Sequence, residues 1–177
     1  FHQLLVNQNQ INLPACILNI GGIANITIIS SRDFNDLKSY DIGPGNCLLD
    51  EWIRKNSEER FDKNGELAKA GKTDEVILNQ AIDNFDSIKN NNNLSFDIKD
   101  FNLNFVRGLS LVNGLSTLTD FTASLICQSI VSSTNFDKGK ELNVLICGGG
   151  RKNLSLFNSI KNKLPSNVNL CLIDDYK

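Results

Sequence analysis

Asp41 stands in the stretch Tyr40-Asp41-Ile42-Gly43-Pro44-Gly45-Asn46-Cys47-Leu48-Leu49-Asp50-Glu51-Trp52. Gly43-Pro44-Gly45 breaks any regular structure, and Leu48, Leu49, Trp52 and Ile53 then recur at helical spacing. The pattern predicts a strand end, a tight turn and a helix capped by Asn46. A helix start of this kind offers free backbone N–H groups that attract phosphate. Asp41 repels an anion, so its chemistry is to take a proton or hold a metal. A lone Gly-Pro-Gly turn is an ordinary connection. Two further glycine turns, Gly21-Gly22 and Gly148-Gly149-Gly150, each follow a strand-like run and give the pattern more weight. Gly21-Gly22, with Asn25 at its exit, reads as a plain hairpin turn or as a loop whose N–H groups closely approach a phosphate. Gly148-Gly149-Gly150 reads as tight strand–helix packing or as room for an adenine ring or a phosphate. An acid beside such loops suits a general base in phosphoryl transfer, where positioning and charge stabilisation supply most of the catalysis.

Other chemistries are poorly supported. No Gly-Lys-Ser/Thr phosphate loop is present, so the chain is not a P-loop enzyme. His2 is the one histidine, which argues against a histidine triad or a metal cluster, and no metal ligands are assigned. The five cysteines are scattered without a C-x-x-C, which suits buried thiols in a reducing cytosol. Cys47 has no His or Lys beside it to activate it as a nucleophile. A net charge of −2 without a basic stripe argues against nucleic acid and acidic membrane surfaces as partners. No run reaches transmembrane length and no leader is visible, so the expected location is cytoplasmic. The chain begins with Phe1, and it reads as a piece of a longer protein.

These residues need a frame. Ala15–Ile20, Ile26–Ile29 and Leu37–Ile42 read as three strands of an antiparallel meander. A helix follows from Asn46 to about Lys55. Residues 56 to 115 read as a helical insertion, with a short helix in 65–71, another capped by Thr73 and Asp74, and an ambiguous stretch from Ser95 to Gly114. Ser116 opens a long helix. Leu142–Cys147 is a buried strand, Asn153 caps a helix, and Val168–Ile173 is the last strand. The order predicts an α/β fold: a mixed five-stranded sheet of the ribonuclease-H-like, actin-like ATPase type, with helices on both faces. Ligands of such sheets sit beyond the strand ends.

Leu18-Asn19-Ile20-Gly21-Gly22-Ile23-Ala24-Asn25-Ile26-Thr27 and the Asp41 stretch together resemble anhydro-N-acetylmuramic acid kinase. Phe1-His2-Gln3, Phe61-Asp62-Lys63-Asn64-Gly65, Thr117-Leu118-Thr119 with Thr122-Ala123, and Cys147-Gly148-Gly149-Gly150 with Asn153 match in order. The resemblance covers essentially the whole chain and about the C-terminal half of the enzyme. It implies one lobe of a two-lobed sugar kinase of bacterial peptidoglycan recycling. With ATP and Mg²⁺, such an enzyme phosphorylates 1,6-anhydro-N-acetylmuramic acid at O6 while water opens the anhydro bridge at C1. The resemblance makes Asp41 the catalytic base. It places Gly21, Gly22 and Asn25, with Gly43, Gly45 and Asn46 of the adjoining turn, along the nucleotide phosphates. Gly148, Gly149, Gly150 and Asn153 line the adenosine side. The implied partners are the anhydro-amino-sugar, an N-terminal lobe and a second copy of the chain. Two departures stand out. The family's N-terminal phosphate loop has no counterpart here, and a basic Lys-Ser-Thr-Gly-Arg-Glu-like stretch is replaced by Leu94-Ser95-Phe96-Asp97-Ile98-Lys99. An alternative reading is a split or decayed fragment that binds nucleotide without catalysis. Another sugar kinase of the same superfamily is a weaker match.

Overall fold

A computed structural model describes residues 2–33, 36–90, 95–133 and 141–176. Phe1 and Leu94, quoted above for the resemblance, lie outside the described residues. The elements run α1 (His2–Gln8), β1 (Ala15–Ile20), β2 (Ile23–Ile29), β3 (Leu37–Pro44), α2 (Cys47–Asn56), α3 (Glu66–Ala70), α4 (Glu75–Asn90), α5 (Leu111–Ser133), β4 (Leu142–Cys147), α6 (Leu154–Lys163) and β5 (Val168–Leu172). The strands form one sheet in the order β3-β2-β1-β4-β5. β1 pairs antiparallel with β2 and β2 with β3, whereas β4 lies parallel to both β1 and β5. This is the mixed, ribonuclease-H-like sheet that the strand and helix order predicts.

Side-chain alternation along the strands decides which element covers which face. Cys16, Leu18 and Ile20 of β1 and Val144 and Ile146 of β4 join the main core with residues of α2 through α6. Ala15, Ile17 and Leu145 point the other way, onto Val6 of α1 and Ile11. The Arg32 guanidinium ties down the end of α1 by donating to the Val6 and Ile11 carbonyls. Helices therefore flank both faces, unequally.

α5 is the central helix. Leu115, Leu118, Ile126 and Ile130 are fully buried, and Thr117 and Thr122 are buried with them. Thr117 accepts the Asp74 N–H that precedes α4. The Trp52 indole N–H donates to the Leu111 carbonyl at 2.9 Å, which locks α2 to the start of α5. α5 begins five residues before the expected Ser116, because that ambiguous stretch packs on Trp52. β2 likewise begins at Ile23 and β3 runs on to Pro44, each longer than its apolar run. Pairing continues up to the glycine turns because Ile23 faces Pro44.

Asp74 caps α4, its Oδ1 accepting the Ile77 N–H at 3.0 Å. Asn153 caps α6, its Oδ1 accepting the Leu156 N–H at 3.0 Å. Asn46 does not behave this way. It stands before α2 but makes no side-chain cap, and its carboxamide donates to the Ile20 carbonyl at 3.4 Å. A short loop draws this side chain to the end of β1 instead.

All five cysteines are free, with Cys16, Cys47 and Cys127 buried. Burial pushes the Cys16 and Cys127 thiols up to about 12 and the Cys47 thiol up to about 11. The Cys47 sulfur is therefore a packed thiol and not a nucleophile at neutral pH. Raised thiol pKa values leave stability whole below the ordinary value of 9.0. As pH rises above it, the unfolded chain ionises first and stability falls. The urea midpoint should be lower at about pH 10 than at about pH 8. In native chain at neutral pH, mass spectrometry should find iodoacetamide on Cys147 or Cys171 before any label on Cys16, Cys47 or Cys127.

Candidate functional site

The β1–β2 turn and the start of α2 are joined through their backbones. The Gly22 carbonyl accepts the N–H groups of Gly45 at 2.9 Å and Cys47 at 3.2 Å, and the Gly21 carbonyl accepts that of Asn46 at 2.8 Å. Gly21 N–H is itself bonded to the Ile23 carbonyl at 3.3 Å. The free N–H groups expected here are therefore occupied, which corrects the phosphate-cradle reading of Gly45 and Asn46. The turn presents its carbonyls to the helix. The α2 dipole also favours an anion, by about 0.3–1 kcal/mol at an exposed terminus. Gly45 is required by this contact, since a Cβ there would stand 2.4 Å from the Gly21 oxygen.

Asp41 is aimed by a β-bulge. Ala24 pairs with Gly43 but Asn25 pairs with Asp41, so Ile42 is the extra residue. Ile42 turns into the core at 1% exposure, and half-buried Asp41 falls in register with Asn25. Asn25 pairs in turn with Asn19, and Asn19 with Cys147. Asp41, Asn25 and Asn19 thus form a polar row across β3, β2 and β1, level with the glycine turns. Directly paired residues share a face with Cβ atoms about 5 Å apart. The Asp41 Oδ2 accepts from the Ser95 hydroxyl at 3.1 Å and the Phe96 N–H at 3.2 Å.

Gly148 adopts φ +81°, and a Cβ there would meet the Asn19 Oδ1 at 2.5 Å. The third glycine turn thereby makes room for the end of the polar row. The Cys147 thiol donates to the same oxygen at 3.7 Å. Arg151 closes the turn, with NH1 donating to the Gly148 carbonyl at 2.8 Å and Nε to Asp174 Oδ2 at 2.5 Å.

The predicted residues separate by position. Gly43, Gly45, Gly150 and Asn153 are buried and shape the backbone, whereas Gly22 and Gly149 are exposed. Gly149, Asn46 and Asn153 line a cavity of about 610 Å³ with Leu49, Asp50, Arg54, Arg60, Phe61, Asp62, Lys63, Asn64 and Lys152. Its volume lies in the usual range for small-ligand sites. Four cations stand against two carboxylates. Burial pushes the Asp50 carboxyl up, opposed by Arg54. Asp62 is occupied structurally, with its two oxygens accepting the Leu67 and Ala68 N–H groups at 2.9 Å. Phe61 is 59% exposed and offers the cavity an aromatic face. A second cavity of about 570 Å³ lies beyond Asn64 between α3, α5 and α6 and includes none of the glycine turns.

Sequence reading left out Asn19 and the cationic wall. Asn19 could have been found as the one polar residue in the apolar β1 run. Lys63 stood in a quoted motif without an assigned role, and Arg54, Arg60 and Lys152 carried no signal, since isolated surface cations are common. Among the described residues, no group of three or more His, Cys, Asp or Glu could hold a metal ion. Among them also, no helix is long and apolar enough to cross a membrane.

The sequence profile of the anhydro-N-acetylmuramic acid kinase family matches residues 1–177. A relative of that name from Pelagibacter ubique is 62% identical over 177 residues, covering 100% of this chain and 47% of the relative. One from Caulobacter vibrioides is 32% identical over 167 residues, covering 93% of this chain and 43% of the relative. The chain thus spans about half the length of the curated relatives it matches. Among solved structures, the activator of the 2-hydroxyisocaproyl-CoA dehydratase from Clostridium difficile, with bound ADPNP, superposes with a TM-score of 0.56. It is 13% identical, and the match covers 97% of this chain and 57% of that one. That likeness shows a shared fold.

Two substitutions test the site's framework. Gly45→Ala forces its methyl group into a backbone oxygen and should cost roughly 2–4 kcal/mol, read as a lowered urea midpoint. Asp62→Ala removes both backbone bonds at the start of α3 and should cost about 1–2 kcal/mol.

Proposed function

We propose that this chain, which belongs to the anhydro-N-acetylmuramic acid kinase family, is the proton-accepting and nucleotide-binding lobe of a two-lobed sugar kinase. Residues 56–115 form its insertion. The reaction is ATP-dependent phosphorylation of 1,6-anhydro-N-acetylmuramic acid with hydrolytic opening of the anhydro ring. The product is N-acetylmuramic acid 6-phosphate. The observation that carries the reading is the row of Asp41, Asn25 and Asn19, which the bulge and the Gly148 turn bring level at the strand ends.

Asp41 accepts the proton of the water that attacks C1. The C1–O6 bond breaks, and O6 captures the γ-phosphoryl group as ADP leaves. The 610 Å³ cavity takes the nucleotide, with Phe61 and Gly149 toward the base and Arg54, Arg60, Lys63 and Lys152 toward its anionic part. Asn19 and Asn25 would offer carboxamide oxygens to a hard cation, and Asp41 keeps its free oxygen for the proton. Mg²⁺, when bound, neutralises charge on the phosphates. Asn25 and Asn19 hold the phosphate side of the site. Gly21, Gly22, Gly43, Gly45 and Asn46 contribute the backbone shape that lets the phosphates come close. The reading places the protein in cytoplasmic peptidoglycan recycling, working with an N-terminal lobe and as a homodimer.

The test is a product-mass assay with the anhydro-sugar, ATP and Mg²⁺. The chain is assayed alone and with the N-terminal half of the Pelagibacter ubique relative added in trans. A phosphorylated, water-added sugar is expected in the mixed sample, and Asp41→Asn should reduce it about 10²- to 10⁴-fold. Undiminished product from Asp41→Asn overturns the assigned role. No product from a folded chain, together with retained nucleotide binding, favours the non-catalytic reading.

A further inference from the structure

We propose that Ser95 and Phe96 are positioning residues that hold Asp41 in one orientation. The proposal rests on the reading of Asp41 as the proton acceptor. A carboxylate on a strand turns about its side-chain torsions, and only one of its oxygens can face the attacking water. Ser95 Oγ–H at 3.1 Å and Phe96 N–H at 3.2 Å both donate to Oδ2. Among the described residues, none donates to Oδ1. Two donors on one oxygen fix the plane of the carboxylate and leave Oδ1 as the proton acceptor. Near-attack geometry of this kind is where positioned groups gain most of their effect.

The segment that carries the donors is itself held at three places. The Phe96 ring is 8% exposed and lies 5.6 Å from the Phe85 ring and 5.5 Å from the Phe101 ring. Asp97 and Asp100 form a reciprocal capping box over the short 3-10 turn Ile98–Asp100, with the Asp97 N–H bonded to Asp100 Oδ2 at 2.7 Å. The Ile98 side chain lies over the β1–β2 turn, where a Cβ on Gly22 would come within 3.2 Å of it. The insertion thus spans from the Gly21-Gly22 turn to Asp41. A replacement that removed only the Ser95 hydroxyl would leave the aromatic packing and the capping box intact.

Steady-state kinetics on the mixed sample described above test this with Ser95→Ala, Ser95→Thr and Asp41→Asn. Losing a hydrogen bond to a charged group should lower kcat about tenfold in Ser95→Ala. KM for ATP and for the sugar should stay within about twofold, since the bond acts on the reacting step and not on binding. Ser95→Thr, which restores a hydroxyl, should recover most of kcat. Wild-type kcat in Ser95→Ala overturns the proposal, and so does an equal loss in Ser95→Thr. If Asp41→Asn keeps full activity, the reading of Asp41 fails first. If Asp41→Asn is inactive and Ser95→Ala is normal, the positioning role alone fails. A second measurement needs no activity. In the chain alone, Ser95→Ala and Asp41→Ala should shift the urea midpoint non-additively, because each removes the same bond. Strict additivity overturns the contact.

Discussion

Two carbonyl groups join the sheet to α2 at the end of β1. Those of Gly21 and Gly22 accept three backbone N–H groups at the start of α2, so the β1–β2 turn and the Gly43-Pro44-Gly45 turn are one unit. Each such bond contributes only about 1 kcal/mol net, but an unmade bond in a buried place costs about 1–3 kcal/mol. The contact therefore matters most as a constraint. It permits no side chain at Gly45 and sets the distance between the sheet and α2. It also brings the Asn46 carboxamide to the end of β1, between the sheet and the cavity.

The rest of the site follows from that joint. With β3 held against β2, the bulge at Asn25 decides which face Asp41 occupies. Gly148 is left free of a Cβ, which makes room for Asn19. The glycines have three different uses. Some permit close backbone contact, one clears space for a carboxamide, and Gly149 stands open at the cavity. Residues that look alike in sequence are thus physically unlike. The residues after α2 add to the same arrangement, because Phe85 and Phe101 pack on the Phe96 ring beside the donors on Asp41 and Phe61–Asn64 forms a cavity wall.

The backbone plan was legible because apolar runs bounded by glycine have few packing solutions. All five strands and the main helices fall where the runs place them, and the mixed sheet follows from their order. Family membership was also legible, because two motifs at a set spacing carry it. Helix boundaries were less legible. α5 extends back to Leu111 because the Trp52 indole bonds there, a contact across 59 residues that no local pattern encodes.

The sequence by itself determined the sheet, the glycine turns and the acid beside one of them, since these follow from local periodicity and residue type. Only the tertiary structure decided what the turns do. The N–H groups of Gly45 and Asn46 looked available in sequence, and the fold occupies them with carbonyls from a turn more than twenty residues away. Likewise the alignment of Asp41 with Asn25 and Asn19 depends on strand register and one bulge, which are set by pairing between strands and not within them. The cationic cavity is a third case, since Arg54, Arg60, Lys63 and Lys152 converge only when the stretch after α2 folds back against the Gly148–Gly150 turn.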